Sequence, residues 1–189
     1  WIAQSKRFAH HFHIPLQSGS DKILRSMKRR YNTDFFVRKI KTIREIIPDS
    51  GIGIDVITGY PTETEKDFEA TYKLLTELPF SYLHVFSYSE RPLARSKHLL
   101  QKNTKQIIET RSKKLRQLGN RKKRLFVENN INTINKVLFE SENKNKKIYG
   151  LTSNYIRVEH SFDKSLVNRI LPVSLHKTNN SDVLKAKFY

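Results

Sequence analysis

At 189 residues the chain has room for one ordinary domain and a small second one. Its apolar fraction of 37% is low for a globular protein yet too high for a disordered one, and 36 Lys and Arg against 18 Asp and Glu leave a net charge of +18. No apolar run approaches the roughly 18 residues of a membrane span, no apolar signal core lies in Trp1 to Phe8, and cysteine is absent, which excludes disulfides and thiolate metal sites within these residues.

His11 to Leu16 reads as a short strand ending in the polar turn Gln17-Ser18-Gly19-Ser20. Ser20 or Asp21 then caps a short helix with Ile23, Leu24 and Met27 on one face. Asn32 and Thr33 open a second helix, in which Phe36, Ile40, Ile43 and Ile47 recur at helical spacing until Pro48 stops it. Gly51 to Thr58 is an Ile/Val-rich strand running into the turn Gly59-Tyr60-Pro61. Thr64-Glu65-Lys66-Asp67 resembles a capping box with Asp in place of Glu, and its helix carries the stripe Phe68, Tyr72, Leu75, Leu78. Pro79 ends that helix, and Ser81 to Ser87 is the next strand.

Alternating strands and helices predict βα units on a parallel sheet, with functional loops at the strand C-terminal ends. Those ends are Gln17 to Ser20, Gly59 to Thr62 and Ser87 to Arg91. From Asn103 to about Asn129 one long helix is expected, with Ile107, Ile108, Leu115, Leu118 and Phe126 as its apolar positions. Its remaining positions are heavily basic: Glu109 is the sole acid between Arg95 and Arg124, a stretch that includes Arg111, Lys113, Lys114, Arg116, Arg121, Lys122, Lys123 and Arg124. So lopsided a run exceeds ordinary salt-bridge patterning and suits phosphate. Beyond Asn130, strand-like pieces at Asn135 to Glu140, Asn154 to Glu159, Arg169 to Leu175 and Val183 to Phe188 suggest a small β-barrel. The expected domains are therefore 1–92, a connecting basic helix 93–128, and 129–189.

The net charge points to nucleic acid, ahead of an anionic membrane surface, as partner. No self-sufficient catalytic set is visible. His10, His11 and His13 cluster near the start, but no acidic partner stands beside them, so a strand-face or loop role is expected and no metal site. Asp55 is a carboxylate in the middle of the apolar strand Ile52-Gly53-Ile54-Asp55-Val56-Ile57, where it needs a hydrogen bond or ion pair; it is a site candidate. The sole Met is Met27, and the chain is expected to be a fragment of a longer protein.

Four segments carry a specific resemblance. His11-Phe12-His13-Ile14-Pro15-Leu16-Gln17-Ser18-Gly19-Ser20-Asp21 with Met27 and Arg29-Arg30-Tyr31 is the first. Gly53-Ile54-Asp55-Val56-Ile57-Thr58-Gly59-Tyr60-Pro61-Thr62-Glu63-Thr64 and Tyr82-Leu83-His84-Val85-Phe86-Ser87-Tyr88-Ser89-Glu90-Arg91 follow, and Gly150-Leu151-Thr152-Ser153-Asn154-Tyr155-Ile156-Arg157-Val158 is the last. In order and spacing they resemble the MiaB-like radical-SAM methylthiotransferases, most of all the MtaB branch, which modifies N6-threonylcarbamoyladenosine in tRNA.

The resemblance implies the C-terminal half of a partial TIM-like α/β barrel followed by a TRAM-like β-barrel, in a cytoplasmic tRNA-modifying enzyme. It implies S-adenosylmethionine as cofactor and two 4Fe-4S clusters in the full-length parent, whose cysteine ligands are missing here. One cluster cleaves S-adenosylmethionine to a 5′-deoxyadenosyl radical, and the other supplies sulfur inserted at C2 of the adenine. This chain alone is expected to be inactive. On that reading Gln17, Ser18 and Ser20 hydrogen-bond S-adenosylmethionine, Asp55 orders the barrel wall or touches the cofactor, and Phe86 and Tyr88 flank an adenine. Tyr155 is expected to stack on an unpaired base. Two departures stand out: Thr62 takes the place of the family's Gly, which bears on that turn's backbone, and Leu93-Ala94-Arg95 replaces a Thr-containing stretch. The rival reading is an RNA-binding remnant or subunit without catalysis.

Overall fold

The computed structural model describes residues 1–5, 7–90, 99, 102–179 and 182–188. The Leu93-Ala94-Arg95 departure, together with Arg91 and Lys97, lies outside them. The chain divides into two compact units, one of His13–Pro48 and Ile52–Arg121, the other of Trp1–Phe12, Asp49–Gly51 and Lys122–Tyr189.

The first unit follows the predicted strand–helix order. Strand β1 is His11–Gln17, helix α1 Asp21–Ser26, α2 Thr33–Ile46, β2 Gly51–Thr58, α3 Glu65–Glu77 and β3 Tyr82–Ser87. Asn32 starts α2 by accepting from the Phe35 N–H at 2.9 Å. Thr64 and Asp67 form the reciprocal capping box of α3 that the sequence pattern predicts. Ser20 stands at the cap position of α1 but makes no side-chain cap. Its hydroxyl donates to Asp67 Oδ1 at 2.8 Å instead, while Asp21 accepts from the Thr33 N–H.

The sheet order is β1-β2-β3, and β2 pairs with β3 in parallel, Asp55 opposite His84 and Ile57 opposite Phe86. Alternation sends Ile52, Ile54 and Val56 to one face, where they pack with Leu16, Phe36, Ile40, Phe68 and Leu75. Truncating one of these fully buried side chains to Ala costs on the order of 2–5 kcal/mol. The other face carries His13, Asp55, Tyr82, His84 and Phe86 at alternate positions.

Helix α4, Lys105–Glu128, contributes its residues up to Arg121 to this unit and the rest to the other. Leu115 and Leu118 enter the first unit's core, and Ser112 bonds Thr58 Oγ1 at 2.6 Å and Ser87 Oγ at 3.0 Å.

In the second unit β4 (Ile134–Lys144), β5 (Lys147–Thr152), β6 (Arg157–Ser161), β7 (Ile170–His176) and β8 (Val183–Lys187) close into a barrel of order β4-β5-β6-β8-β7. All its pairs are antiparallel except β6 with β8. Val137, Phe139, Ile148, Val158, Val173, Leu175 and Leu184 fill it. Strand β5 escapes the sequence reading, and the piece read as a strand from Asn154 begins only at Arg157. Asn154 sits in the intervening turn, where its amide donates to the Asp49 carbonyl at 2.9 Å and to Asn130 Oδ1 at 3.1 Å.

Candidate functional site

The Gln17–Ser20 turn at the end of β1 is clamped rather than open. An added Cβ on Gly19 would lie 2.5 Å from Thr71 Cα, so only glycine lets the turn lie against α3. Thr71 Oγ1 accepts from the Gly19 N–H at 2.9 Å. Ser18 is fully buried, and its Oγ accepts from the Ser20 N–H at 3.2 Å. Asp67 gathers the hydroxyl of Ser20, the ammonium of Lys22 at 2.8 Å and the N–H and hydroxyl of Thr64. Burial alone would raise this carboxyl, but the hydrogen bonds from Lys22, Thr64 and Ser20 outweigh it and hold the group well below the usual carboxylate range. Ser18 and Ser20, read from the sequence as cofactor contacts, thus spend their hydroxyls inside the protein. Gln17 differs: its backbone is left-handed, φ 71°, and its Oε1 accepts from the Arg29 guanidinium at 3.2 Å.

At the end of β2, Gly59 and Arg111 converge on Glu63. The Gly59 N–H donates to Glu63 Oε2 at 2.9 Å, and Arg111 donates to the same oxygen at 2.7 Å. Burial pushes the Glu63 carboxyl up, and the Gly59 N–H and the Arg111 charge act against that. Arg111 also bonds Glu65 at 2.9 Å and Asn103 at 3.1 Å, and lies over the Phe68 ring. At 4% exposure it is a structural cation, not one of the solvent-facing phosphate contacts predicted from composition. Thr62 has φ 74°, the conformation glycine adopts without strain.

On the open face of the sheet, His13 Nε2 lies 2.6 Å and His84 Nδ1 3.3 Å from Asp55 Oδ1. The acidic partner that His13 lacks in sequence is thus supplied across the strands. His84 was missed by the sequence reading. The available signal was register: on parallel strands His84 falls opposite Asp55, and both break otherwise apolar strands. Phe86 is 52% exposed beside His84, at a ring distance of 6.4 Å, so it is a surface of this face and not core packing. Tyr88 packs edge-on to Tyr60 at 5.6 Å, and its N–H donates to the Thr58 carbonyl.

Along α4, Lys113, Lys114, Arg116, Arg121 and Arg124 are exposed, while Lys122 and Lys123 are half-buried. Lys114 reaches over the Phe68 ring, Arg116 reaches the Val85 carbonyl, Arg121 the Tyr72 hydroxyl, and Lys123 pairs with Asp182 at 3.0 Å. Tyr155, at φ 68°, stacks on His11 with ring centroids 3.9 Å apart and planes 15° apart, so one of its faces is already occupied. No helix among the described residues is long and apolar enough to cross a membrane.

In this parallel βα unit the polar loops lie at the strand C-terminal ends, and residues 2–75 match the model of the Radical SAM superfamily. Over most of its length the chain is similar to tRNA methylthiotransferases. It is 39% identical over 158 residues to the threonylcarbamoyladenosine tRNA methylthiotransferase MtaB of Aquifex aeolicus, covering 84% of this chain and 37% of that protein. It is 37% identical over 179 residues to the tRNA-2-methylthio-N(6)-dimethylallyladenosine synthase of Symbiobacterium thermophilum, covering 92% and 37%. The MtaB of Bacillus subtilis is 30% identical over 183 residues, covering 93% and 40%. The chain therefore spans about two fifths of the length of these relatives.

Proposed function

We propose that the chain supplies one wall of the S-adenosylmethionine site and the RNA-binding surface of a tRNA methylthiotransferase acting in the cytoplasm. The observation that carries this reading is the similarity to two kinds of tRNA methylthiotransferase over at least 84% of the chain, joined to a helix whose exposed face is cationic. Among the modified adenosines, N6-threonylcarbamoyladenosine is the one proposed, because His11 to Gln17 and His84 to Arg91 resemble the MtaB branch.

S-adenosylmethionine, when bound, supplies the radical and the methyl group. The donor set fits part of it: Gln17 and Arg29 at the end of β1 offer an amide and a cation to an amino-acid moiety, Asp55 offers a carboxylate, and Phe86 and Tyr88 offer faces to an adenine. Ser18, by a 3.5 Å hydroxyl contact with Thr71, and Ser20, by its bond to Asp67, position that wall. The chain has no thiolate to hold an iron–sulfur cluster, so the residues present do not fit one.

The five-stranded barrel is read as a TRAM-like RNA-binding domain, with Tyr155 presenting its outer face to a base. Lys113, Lys114, Arg116, Arg121, Lys122, Lys123 and Arg124 contact phosphates. Filter binding of tRNA tests the reading: affinity falls at least about tenfold between about 50 and about 200 mM salt, and tRNA carrying threonylcarbamoyladenosine binds more tightly than tRNA carrying dimethylallyladenosine. A flat salt response removes the basic helix from the reading, and equal affinities remove the choice of base. The cationic face of α4 and the closed barrel also suit a second reading, an RNA-binding subunit without chemistry of its own. A cysteine-bearing partner that restores S-adenosylmethionine cleavage to this chain decides against it.

A further inference from the structure

We infer that His13, Asp55 and His84 form a binding site for one divalent transition-metal ion, of the open kind with three protein ligands. The three residues come from three neighbouring strands, and their ligand atoms all lie within 4.8 Å of one another. Two imidazoles and one carboxylate are the donor set of borderline ions such as Zn(II), Co(II) and Fe(II), and leave coordination positions for water or a substrate atom.

The spacing is close to what such an ion needs. Ligands held about 2.0–2.2 Å from a metal stand roughly 3.3 Å from each other in a tetrahedral arrangement. His84 Nδ1 is 3.3 Å from Asp55 Oδ1. His13 Nε2 is closer, at 2.6 Å, as a hydrogen-bonded pair is, and must swing outward by some tenths of an ångström to admit an ion. Its side chain is 40% exposed, so the movement meets little packing. Both imidazoles stand against the same carboxylate oxygen, and among the described residues the Asp55 side chain has no further hydrogen bond or ion pair. An ion replaces one hydrogen bond and one looser polar contact on a single oxygen with three coordinate bonds.

The surroundings suit an open site. The His84 side chain is 49% exposed and that of Asp55 19%, so an ion enters from solvent while the carboxylate stays rooted in the sheet. Tyr82 and Phe86 flank His84 along β3, with rings 5.1 and 6.4 Å from its own. Tyr82 lies flat over the strand because position 53 is glycine; a Cβ there would fall 2.2 Å from the Tyr82 ring. These rings limit the directions in which His84 can turn, and so hold its Nδ1 toward Asp55. The inference uses residues of this chain alone and does not depend on the tRNA reading.

The test is a titration of the whole chain, stripped with a chelator, by Co(II) alone, read by its visible absorption, followed by displacement with Zn(II). One ion per chain is expected, displaced by one equivalent of Zn(II). His84→Ala and Asp55→Asn weaken binding by at least about tenfold, the low end of what even an outer-shell partner is worth, while His160→Ala in the barrel leaves it unchanged. Circular dichroism checks that each variant is folded; should Asp55→Asn unfold, His84→Gln on the exposed face carries the test. No saturable Co(II) band, or a band whose affinity survives loss of His84, overturns the site and leaves a His13–Asp55 hydrogen bond with His84 beside it.

Discussion

Arg111 donates to Glu63 at 2.7 Å with both side chains shielded from solvent, 5% and 1% exposed. Breaking such a pair from one side leaves an uncompensated buried charge, which costs on the order of 3–5 kcal/mol. Arg111→Ala is therefore expected to lower the urea midpoint of the first unit sharply. Adding Glu63→Gln recovers part of the loss, since the orphaned charge is gone. Lys113→Ala, one turn face away and exposed, changes stability by less than about 0.5 kcal/mol. Equal effects for Arg111 and Lys113 would mean the buried pair is not formed.

The hydrogen bonds converging on Asp67 make the first unit sensitive to acid. Its carboxyl is held below the value of about 3.9 that it has in an unfolded chain, so the unfolded state takes up a proton first. The stabilisation is fully present above about pH 4 and is lost as the pH falls below that toward the folded-state value. Asp67→Asn removes the charge, costs about 2 kcal/mol at neutral pH, and flattens the acid limb of a stability–pH curve measured by denaturation. A variant whose acid limb matches that of the parent would place the titration elsewhere.

Thr62 holds a left-handed backbone with a β-branched side chain. Such a residue stores about 1–3 kcal/mol, and glycine removes it at an unfolded-state entropy cost of about 1 kcal/mol or less. Thr62→Gly is expected to raise the melting temperature, against the usual sign for a change to glycine. Lower stability in the variant would show that Thr62 makes a compensating contact, beyond the bond its carbonyl accepts from Lys22 at 3.2 Å.

Charge reversal along α4 separates affinity from fold. Lys113→Glu and Arg124→Glu each reduce the slope of log affinity against log salt for tRNA by about one or more, with little change in urea stability, because both side chains are exposed. Arg111→Glu would instead destabilise the protein. A slope unmoved by the exposed pair takes phosphate binding away from this face.

The parts of the fold set by local chemistry were legible. Asn32, Thr64 and Asp67 announce their helices because the caps use backbone groups three residues away. Strand β2 announces itself because Ile52, Ile54 and Val56 alternate with small or polar positions. What depends on register was not legible. His13, Asp55 and His84 are separated by tens of residues and meet only once three strands are laid side by side. Strand β5 was hidden because Gly150, opposite Phe139, reads as punctuation, and its apolar residues are too few to stand out. Arg111 and Lys113 look alike in a basic run, and only the turn of the helix decides that one faces Glu63 and the other water.

The parallel pairing of β6 with β8 places the strand latest in sequence between two earlier ones. A nascent chain leaving the ribosome can form the β4-β5-β6 meander and the β4-β7 pair early, yet β6 and β7 each keep one edge unpaired until Val183–Lys187 is in place. Until then the two strands present free edges, which are templates for joining another chain. Synthesis that halts before Val183 therefore releases a product prone to self-association.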